Sequence, residues 1–347
     1  MSMKKRLLVF GIGFLLGCGI LFVLPRPNRD REPHPWHAQT APDGYYPLVA
    51  SDAHGREVRF ERQPRHFISL APSITEIVFA LGMGDHLMAV SEHCDYPEGA
   101  RAIAGTGAVI GSVDRPNVEL ILQYAPDLVL AWNHTAVTTL EQLHRPPRIV
   151  AMALAHRTLD EVLSDIATVA RVTGVPSFGA RLLAQLRAEL VEVDERIPRT
   201  EEPRPVLLLP GFEQSLTPGF TPGKDSWVGQ LITRANARNV GAGPGVAYRV
   251  PSFESLLADP PYVILLQNGR TEAERMARQR EIAELPRHRL WGRLEAVRAG
   301  RIVLIEPDPL SIPGPRVTQA YRSLAMGIWP EAFADMEAAP DQLQSPR

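Results

Sequence analysis

The stretch that decides the fold reads RPNVELILQYAPDLVLAW from Arg115 to Trp132, and RVPSFESLLADPPYVILLQ, Arg249 to Gln267, repeats its pattern. Setting Pro116 on Pro251 also aligns, without a gap, Glu119 with Glu254, Leu122 with Leu257, Pro126 with Pro261 and Val129 with Ile264. In each copy a short helical pattern is followed by a proline and then by an apolar run, which is typical of a strand buried on both faces. The repeat therefore predicts two similar halves in one chain.

Strand and helix patterns alternate around both copies. RHFISLA at residues 65–71 predicts a buried strand, and the helix after it carries Ser73 and Glu76 at the spacing of a capping box, with Gly82 at its end. DSWVGQLITRANARNVG, residues 225–241, and the region 290–298 predict helices in the second half. Such alternation specifies parallel α/β lobes with three layers.

A helical region separates the two halves. Thr158 and Glu161 again have capping-box spacing, and a second helix is predicted from about Ser177 to Arg196. Its apolar residues recur every three or four positions in one continuous stripe, formed by Leu183, Leu186, Leu190, Val193 and Ile197. A helix of this length spans roughly 30 Å, enough to link two lobes.

The first residues predict export. Lys4, Lys5 and Arg6 precede an apolar run at residues 7–24, whose length lies between that of a signal-peptide core and that of a spanning helix. We interpret residues 1–24 as a membrane anchor or signal segment. An uncleaved anchor is preferred, and lipidation at Cys18 in the sequence LLGC or ordinary cleavage are the alternatives. The protein is therefore expected to be extracytoplasmic, tethered to the cytoplasmic membrane by this segment or by a lipid on Cys18.

The remaining boundaries follow from composition. Residues 25–47 form a proline-rich tether, and residues 336–347 a disordered tail. Between them we predict an N-terminal α/β lobe at 48–156, a helical linker at 157–200 and a C-terminal α/β lobe at 201–335.

Composition and motifs argue against several function classes. The net charge is −2, whereas binding nucleic acid through its phosphates requires a basic surface. The sequence contains no GxSxG, GxxxxGK[ST] or HExxH motif, so an enzyme is not expected. A dedicated zinc or manganese site requires three or four clustered His, Asp or Glu ligands, and no such set can be assembled. Neither a resident metal nor a cofactor is predicted.

The ordered segments then permit a comparison with a known family. VASDAHGREV, RHFISLAPSITEIVFALG, VSEHCDYPEGA and GKDSWVGQLITRANARNVG, together with the repeat, resemble the class III substrate-binding proteins of ABC importers. That family delivers cobalamin, iron–siderophores and haem, and the likeness covers about residues 46–333. It implies an α/β fold of two three-layer lobes joined by a single long helix, with the ligand in a cleft between the lobes, and a monomer.

The resemblance also gives the repeat a purpose. Family members carry one surface glutamate on each lobe, which docks into an arginine pocket of the permease dimer, and Glu119 and Glu254 match those places. Carboxylates suit this role because they form bidentate, charge-assisted contacts with arginine. The alternative is that both glutamates only stabilise the first turns of their helices.

Candidate ligand residues are those that follow the carboxyl ends of strands, where ligands lie in such folds. They are Ser73, His93, Tyr96, Trp132, His134, Tyr248 and Asp308. The resemblance implies that Trp132 and Tyr248 stand where cobalamin binders place aromatic residues. It also implies that Asp308 occupies an acidic position able to accept hydrogen bonds from corrin amides. For Trp132 the alternative is a place in the lobe core.

Other positions depart from the cobalamin pattern. Val113 stands where a second pocket tryptophan is expected, and Ile312 where a ligand-binding arginine is expected. His93 replaces a tyrosine, and its imidazole can coordinate cobalt or haem iron or simply form loop hydrogen bonds. A cobalt corrinoid is the preferred ligand, followed by an iron–siderophore, for which Arg249 is a suitable neighbour, and then haem. A ligand sensor outside transport is the remaining alternative.

Overall fold

The computed structural model describes residues 41–144, 149–210, 218–243 and 245–335. The predicted membrane segment with Cys18, most of the predicted tether and the predicted tail lie outside these residues. Within the described part of the chain, no helix is both long enough and apolar enough to cross a membrane. The domain boundaries drawn from the sequence remain predictions.

The N-terminal lobe contains a hairpin and a four-stranded parallel sheet with helices on its faces. The strands are β1 (Leu48–Ser51), β2 (Glu57–Phe60), β3 (Phe67–Ser69), β4 (Leu87–Val90), β5 (Leu128–Trp132) and β6 (Val150–Leu154). The helices are α1 (Pro72–Ala80), α2 (Glu98–Gly105), α3 (Val118–Tyr124) and α4 (Val137–Leu143). The sheet order is β4-β3-β5-β6, and a separate apolar cluster lies on each face.

Two helices link the lobes, α5 (Leu159–Val172) and α6 (Pro176–Arg196). Along the predicted stripe of α6, Leu183 and Leu186 pack in the N-terminal core, whereas Leu190 and Val193 pack in the C-terminal core. The predicted long helix is therefore confirmed. Helix α5 is a second link, because its first turn also packs in the C-terminal core.

The C-terminal lobe repeats the architecture. Its strands are β7 (Arg204–Leu209), β8 (Thr221–Pro222), β9 (Ala237–Asn239), β10 (Tyr248–Arg249), β11 (Val263–Gln267) and β12 (Ile302–Ile305). Its helices are α7 (Trp227–Arg234), α8 (Phe253–Ala258), α9 (Glu272–Glu284), α10 (Glu295–Arg298), α11 (Pro307–Ser311) and α12 (Val317–Ile328). The four main strands form a parallel sheet in the order β12-β11-β7-β9, and β8 and β10 form an antiparallel ribbon.

The two sheets have the same topology. The strand order is the same in both lobes when the strands are matched in chain order, β3 with β7, β4 with β9, β5 with β11 and β6 with β12. The repeated stretches occupy equivalent places, since α3 and α8 begin 135 residues apart, and so do β5 and β11. The two-lobed α/β prediction is confirmed.

Some local predictions were wrong. Helix α1 begins at Pro72, so Ala71 is its N-cap and Ser73 and Glu76 do not form a capping box. Helix α7 ends at Arg234, because Asn236 takes a left-handed φ of 49°, and residues 237–239 then pair with β7 as strand β9.

In the region 290–298, a 3-10 turn buries Trp291, and only Glu295–Arg298 is α-helical. Helix α9 was missed because none of its residues is buried, which leaves no apolar stripe to read. The capping box at Thr158 and Glu161 is present, and Gly82 ends α1 with a left-handed φ of 72°.

Candidate functional site

The predicted cleft residues lie on segments that follow parallel strands. Ser73 is on α1 after β3, and His93 and Tyr96 are in the loop after β4. Trp132 ends β5, and Asp308 lies on α11 directly after β12. Because the carboxyl end of a parallel sheet is where ligands bind in α/β folds, each lobe presents its candidate residues at the expected edge.

Four side chains from both lobes form one group, the Arg316 cluster, made of Glu76, Tyr96, Asp308 and Arg316. Arg316 donates from Nη2 to Glu76 Oε1 at 2.5 Å and from Nε to Glu76 Oε2 at 3.0 Å. Its guanidinium carbon lies 4.1 Å from the centre of the Tyr96 ring. The paired side chains of Arg316 and Glu76 are only 5% and 2% exposed. The cluster therefore joins the carboxyl edges of the two sheets.

Burial dominates the electrostatics of this cluster. Loss of water around the Glu76 carboxyl, with the negative Asp308 and Asp95 nearby, raises its pKa to about 7 against the opposing effect of Arg316. Asp308 is held by Arg270, whose Nη2 lies 2.9 Å from Asp308 Oδ1. Burial therefore has a larger effect on the pKa of Glu76 than its ion pair with Arg316.

A second group, the Trp132 cluster, consists of Trp132, His134 and His156 at the carboxyl ends of β5 and β6. The His134 imidazole stacks on the Trp132 indole, with ring centres 4.2 Å apart and planes at 19°. The indole donates from Nε1 to the Ala155 carbonyl oxygen at 3.2 Å. Trp132 is half-buried and also packs against the N-terminal core. Its side chain thus lies partly in the lobe core and partly at the surface where a cleft contact was predicted.

Asp165 supports this second group from α5. Its Oδ2 accepts hydrogen bonds from the backbone N–H groups of Ala155 and His156 and lies 2.6 Å from Nδ1 of His156. His156 is fully buried and takes a left-handed φ of 56°, a conformation that is uncommon for residues other than glycine. Asp165 therefore fixes the backbone of Ala155 and His156, and the Ala155 carbonyl oxygen is the acceptor for the Trp132 indole.

The structure does not bring His93 and Tyr248 into either cluster. His93 is exposed, with a left-handed φ of 74°, and within the described residues its side chain makes no hydrogen bond or ion pair. Tyr248 is 48% exposed on β10, opposite Pro222 of β8. That ribbon lies beside the carboxyl end of β7, where Thr221 donates to the Leu208 carbonyl oxygen at 2.6 Å.

An open cavity of about 620 Å³ lies at the same edge of the C-terminal lobe. Its polar lining comes from the end of β11, helix α9 and α11, and includes Gln267, Asn268, Arg270, Glu274, Arg278 and Glu281. This volume is within the range of small-molecule sites. The C-terminal wall is thus charged and polar, unlike the aromatic wall of the N-terminal lobe.

Glu119 and Glu254 occupy equivalent surface positions in the first turns of α3 and α8. Both side chains are exposed, and neither forms an ion pair with any residue that the structure describes. The N-caps before them are Asn117 and Ser252, which accept hydrogen bonds from the N–H groups of Leu120 and Ser255. Because other side chains cap these helices, both carboxylates are available to a partner.

Sequence reasoning missed the Arg316 cluster as a unit. Pro72 could have indicated that Glu76 is not part of a capping box. Proline favours the first helical position, which makes Ala71 the N-cap and puts Glu76 too far along the helix to bond to the N-cap backbone. Arg316 could not be paired with a residue 240 positions away from spacing alone. In the described ranges, no group of three or more His, Cys, Asp or Glu residues is placed to hold a metal ion.

Comparison with known proteins agrees with this geometry. Residues 68–309 match the family described as periplasmic binding protein. The chain is 24% identical to the uncharacterised ABC transporter substrate-binding lipoprotein YvrC of Bacillus subtilis over 84% of this chain and 88% of that protein. It is 27% identical to the vitamin B12-binding protein of Vibrio cholerae over 74% and 86% of the two chains.

Among solved structures, the periplasmic heme-binding protein RhuT from Roseiflexus sp. RS-1 superposes with a TM-score of 0.64 at 28% identity, covering 77% of this chain and 99% of that one. The family consists of transport proteins that bind a substrate and are not enzymes. The protein therefore belongs to the periplasmic binding protein family and is an ABC-transporter substrate-binding protein of the class III, two-lobed type.

Proposed function

We propose that this protein captures a corrinoid of the cobalamin type outside the cytoplasm and delivers it to an ABC permease. The observation that carries the proposal is the Trp132 cluster, which places a braced indole with a stacked imidazole at the cleft edge of the N-terminal lobe. A flat aromatic surface suits a large, flat macrocycle, since such faces attract each other by stacking and by loss of apolar surface. Similarity to the vitamin B12-binding protein of Vibrio cholerae supports this ligand class.

The opposite wall provides polar groups for the periphery of such a ligand. Asp308 and the side chains around the 620 Å³ cavity offer both donors and acceptors, which a macrocycle bearing amide groups can use. Ser73, His93, Tyr96 and Tyr248 complete the proposed ligand residues. His93, which is exposed on its loop, is proposed to coordinate the metal centre of the ligand.

Delivery uses the repeated glutamates. Glu119 and Glu254 are proposed to bind arginines of a permease dimer, one from each lobe, so that the permease detects the spacing between lobes. The N-terminal segment, through its apolar run or a lipid on Cys18, is proposed to keep the protein at the membrane.

An iron chelate is the second candidate, either a siderophore complex or haem. Arg249, exposed beside Tyr248 on β10, offers a guanidinium to an anionic ligand, whereas Arg270 and Arg316 are already paired with Asp308 and Glu76. Similarity to RhuT supports the haem option. A sensor that binds the same ligand without transport would share these residues but would not require the docking glutamates.

Calorimetric titration of the full chain in detergent with cyanocobalamin, a ferric siderophore and haemin tests these candidates. We expect saturable binding of cyanocobalamin at one site per chain. Tight binding of either iron chelate with none of cyanocobalamin would replace the corrinoid by that ligand. If none of the three binds, the proposed ligand class is wrong.

A further inference from the structure

The two lobes touch through a buried ion pair between Glu76 and Arg316, neither of which is a proposed ligand residue. Glu76 projects from α1, the first helix after the N-terminal hairpin, and Arg316 precedes α12, the last long helix of the C-terminal lobe. The chain segment before Arg316 also approaches closely, because a Cβ built on Gly314 would lie 3.4 Å from the Ser73 carbonyl oxygen. Backbone and side chains therefore meet at one point across the cleft.

This point lies beside the helices that link the lobes. Helix α1 packs against α5, and α12 packs against α6. Thr318, in the first turn of α12, donates to Glu189 of α6 at 2.6 Å. The contact consequently forms on the linker side of the cleft, and it must break for the lobes to move apart at this point.

We propose that Glu76 and Arg316 form a proton-sensitive latch that sets the separation of the two lobes before any ligand is bound. The pair supplies two charge-assisted hydrogen bonds, and Arg316 also holds Tyr96 at the cleft through its stacked guanidinium. Glu76 and Arg316 are therefore positioning residues for the lobes and for Tyr96.

Proton binding favours the closed contact because it removes the cost of burying the charge of Glu76, which outweighs the loss of charge on the hydrogen bonds. When the lobes separate, Glu76 returns to water and to its ordinary pKa, whereas in the closed contact burial raises the pKa to about 7. The closed state then binds the proton more tightly, so acid favours closure, and closure weakens as the pH rises from about 4.5 to about 7 and changes little above that. The charged groups that face Glu76 are Arg316, Asp308 and Asp95, with the Tyr96 ring against Arg316.

Distance measurement between spin labels tests the latch in the full chain without ligand. Labels at Gln142→Cys and Ala283→Cys, both exposed and on different lobes, report lobe separation in a Cys18→Ser background where Cys94 stays buried. We expect Arg316→Met to lower the ratio of closed to open molecules about tenfold or more, because it removes two hydrogen bonds to a carboxyl group. Arg238→Met is the matched control, since it breaks a bidentate pair with Asp259 inside one lobe.

The pH dependence gives an independent measurement. For the labelled protein with both latch residues intact, we expect the ratio of closed to open molecules to fall between about pH 4.5 and pH 7, by at most about tenfold per pH unit, and to level off above pH 7. Glu76→Gln, which has no proton to exchange in this range and keeps only one of the two acceptors, should show a closed fraction that does not change with pH. An Arg316→Met distribution identical to that of the control overturns the proposal, as does a closed fraction independent of pH. If Arg316→Met does not fold, Glu76→Gln and the pH series decide the question.

Discussion

The two lobes share a backbone plan but present different chemistry to the cleft. Their sheets have one strand order, and the repeated helix and strand lie 135 residues apart in both. At the carboxyl edges, however, the N-terminal lobe carries the Trp132 cluster, while the C-terminal lobe carries Arg270, Asp308 and a polar cavity. Buried strands tolerate little change, because close packing penalises altered volume, whereas loops beyond the strand ends are free to vary.

A second comparison separates the outer surface from the cleft. The first turns of α3 and α8 remain alike in both lobes, each with a capping side chain and an exposed glutamate. Alike surfaces suit a symmetric partner such as a permease dimer, whereas unlike cleft walls suit an asymmetric ligand. The matched pairs of residues in the two lobes allow this division to be tested directly.

The largest effect is expected from the docking pair. Changing Glu119 and Glu254 together to Ala should weaken binding to the permease at least about a hundredfold, because each carboxylate contributes hydrogen bonds to a charged partner worth about 1.5–3 kcal/mol. Affinity for the permease in nanodiscs measures this change. Glu141→Ala with Glu284→Ala, one exposed glutamate per lobe outside the repeat, is the control. Equal affinity of the two double variants would contradict docking through the repeat.

Next in size is the loss of equivalent core leucines. Leu130 and Leu265 are aligned by the repeat and fully buried, so each change to Ala should cost about 2–5 kcal/mol of unfolding free energy. Because α5 and α6 contribute to both cores, both variants should unfold in a single transition. Denaturant unfolding followed by circular dichroism measures both quantities. Two separate transitions would show that the lobes are independent despite the shared helices.

The aromatic residues of the two walls should differ in their effect on the ligand. Trp132→Ala is expected to weaken corrinoid affinity about tenfold or more, since it removes a large apolar surface that is held in place by Ala155. Tyr248→Ala should have a smaller effect, because Tyr248 is 48% exposed and lies outside both clusters. Titration calorimetry ranks the variants, with Tyr262→Ala, an exposed tyrosine away from the cleft, as control. A larger loss for Tyr248→Ala than for Trp132→Ala would place the main aromatic contact on the C-terminal lobe.

The smallest effect is expected from the paired helix caps. Asn117→Ala and Ser252→Ala each remove one hydrogen bond from a side chain to the first turn, which should cost about 1 kcal/mol of unfolding free energy. Similar losses in thermal unfolding would confirm that the two helix starts are energetically equivalent. A cost confined to one lobe would instead show that the equivalence is geometric only.

Much of the fold could be predicted because its signals are local. The apolar run at Leu128–Trp132 becomes a strand with the predicted bounds, and the run at residues 262–267 becomes a strand that begins one residue later, at Val263. The stripe on α6 identifies the link between the lobes. Helix α9 escaped because an exposed helix has no buried stripe. Strand β9 was read as helix because three residues are too few to show alternation, and pairing with β7 determines their conformation.

Residue types and their spacing were therefore enough to establish the repeat, the α/β class, the linking helix and the two exposed glutamates. These features depend on interactions between residues close in sequence or on the division between buried and exposed positions. Tertiary structure alone decided that Glu76 meets Arg316, that His134 stacks on Trp132, and that His93 and Tyr248 stand apart from both clusters. The physical reason is that burial and charge pairing across lobes depend on where distant segments are brought together, and no local spacing contains that information.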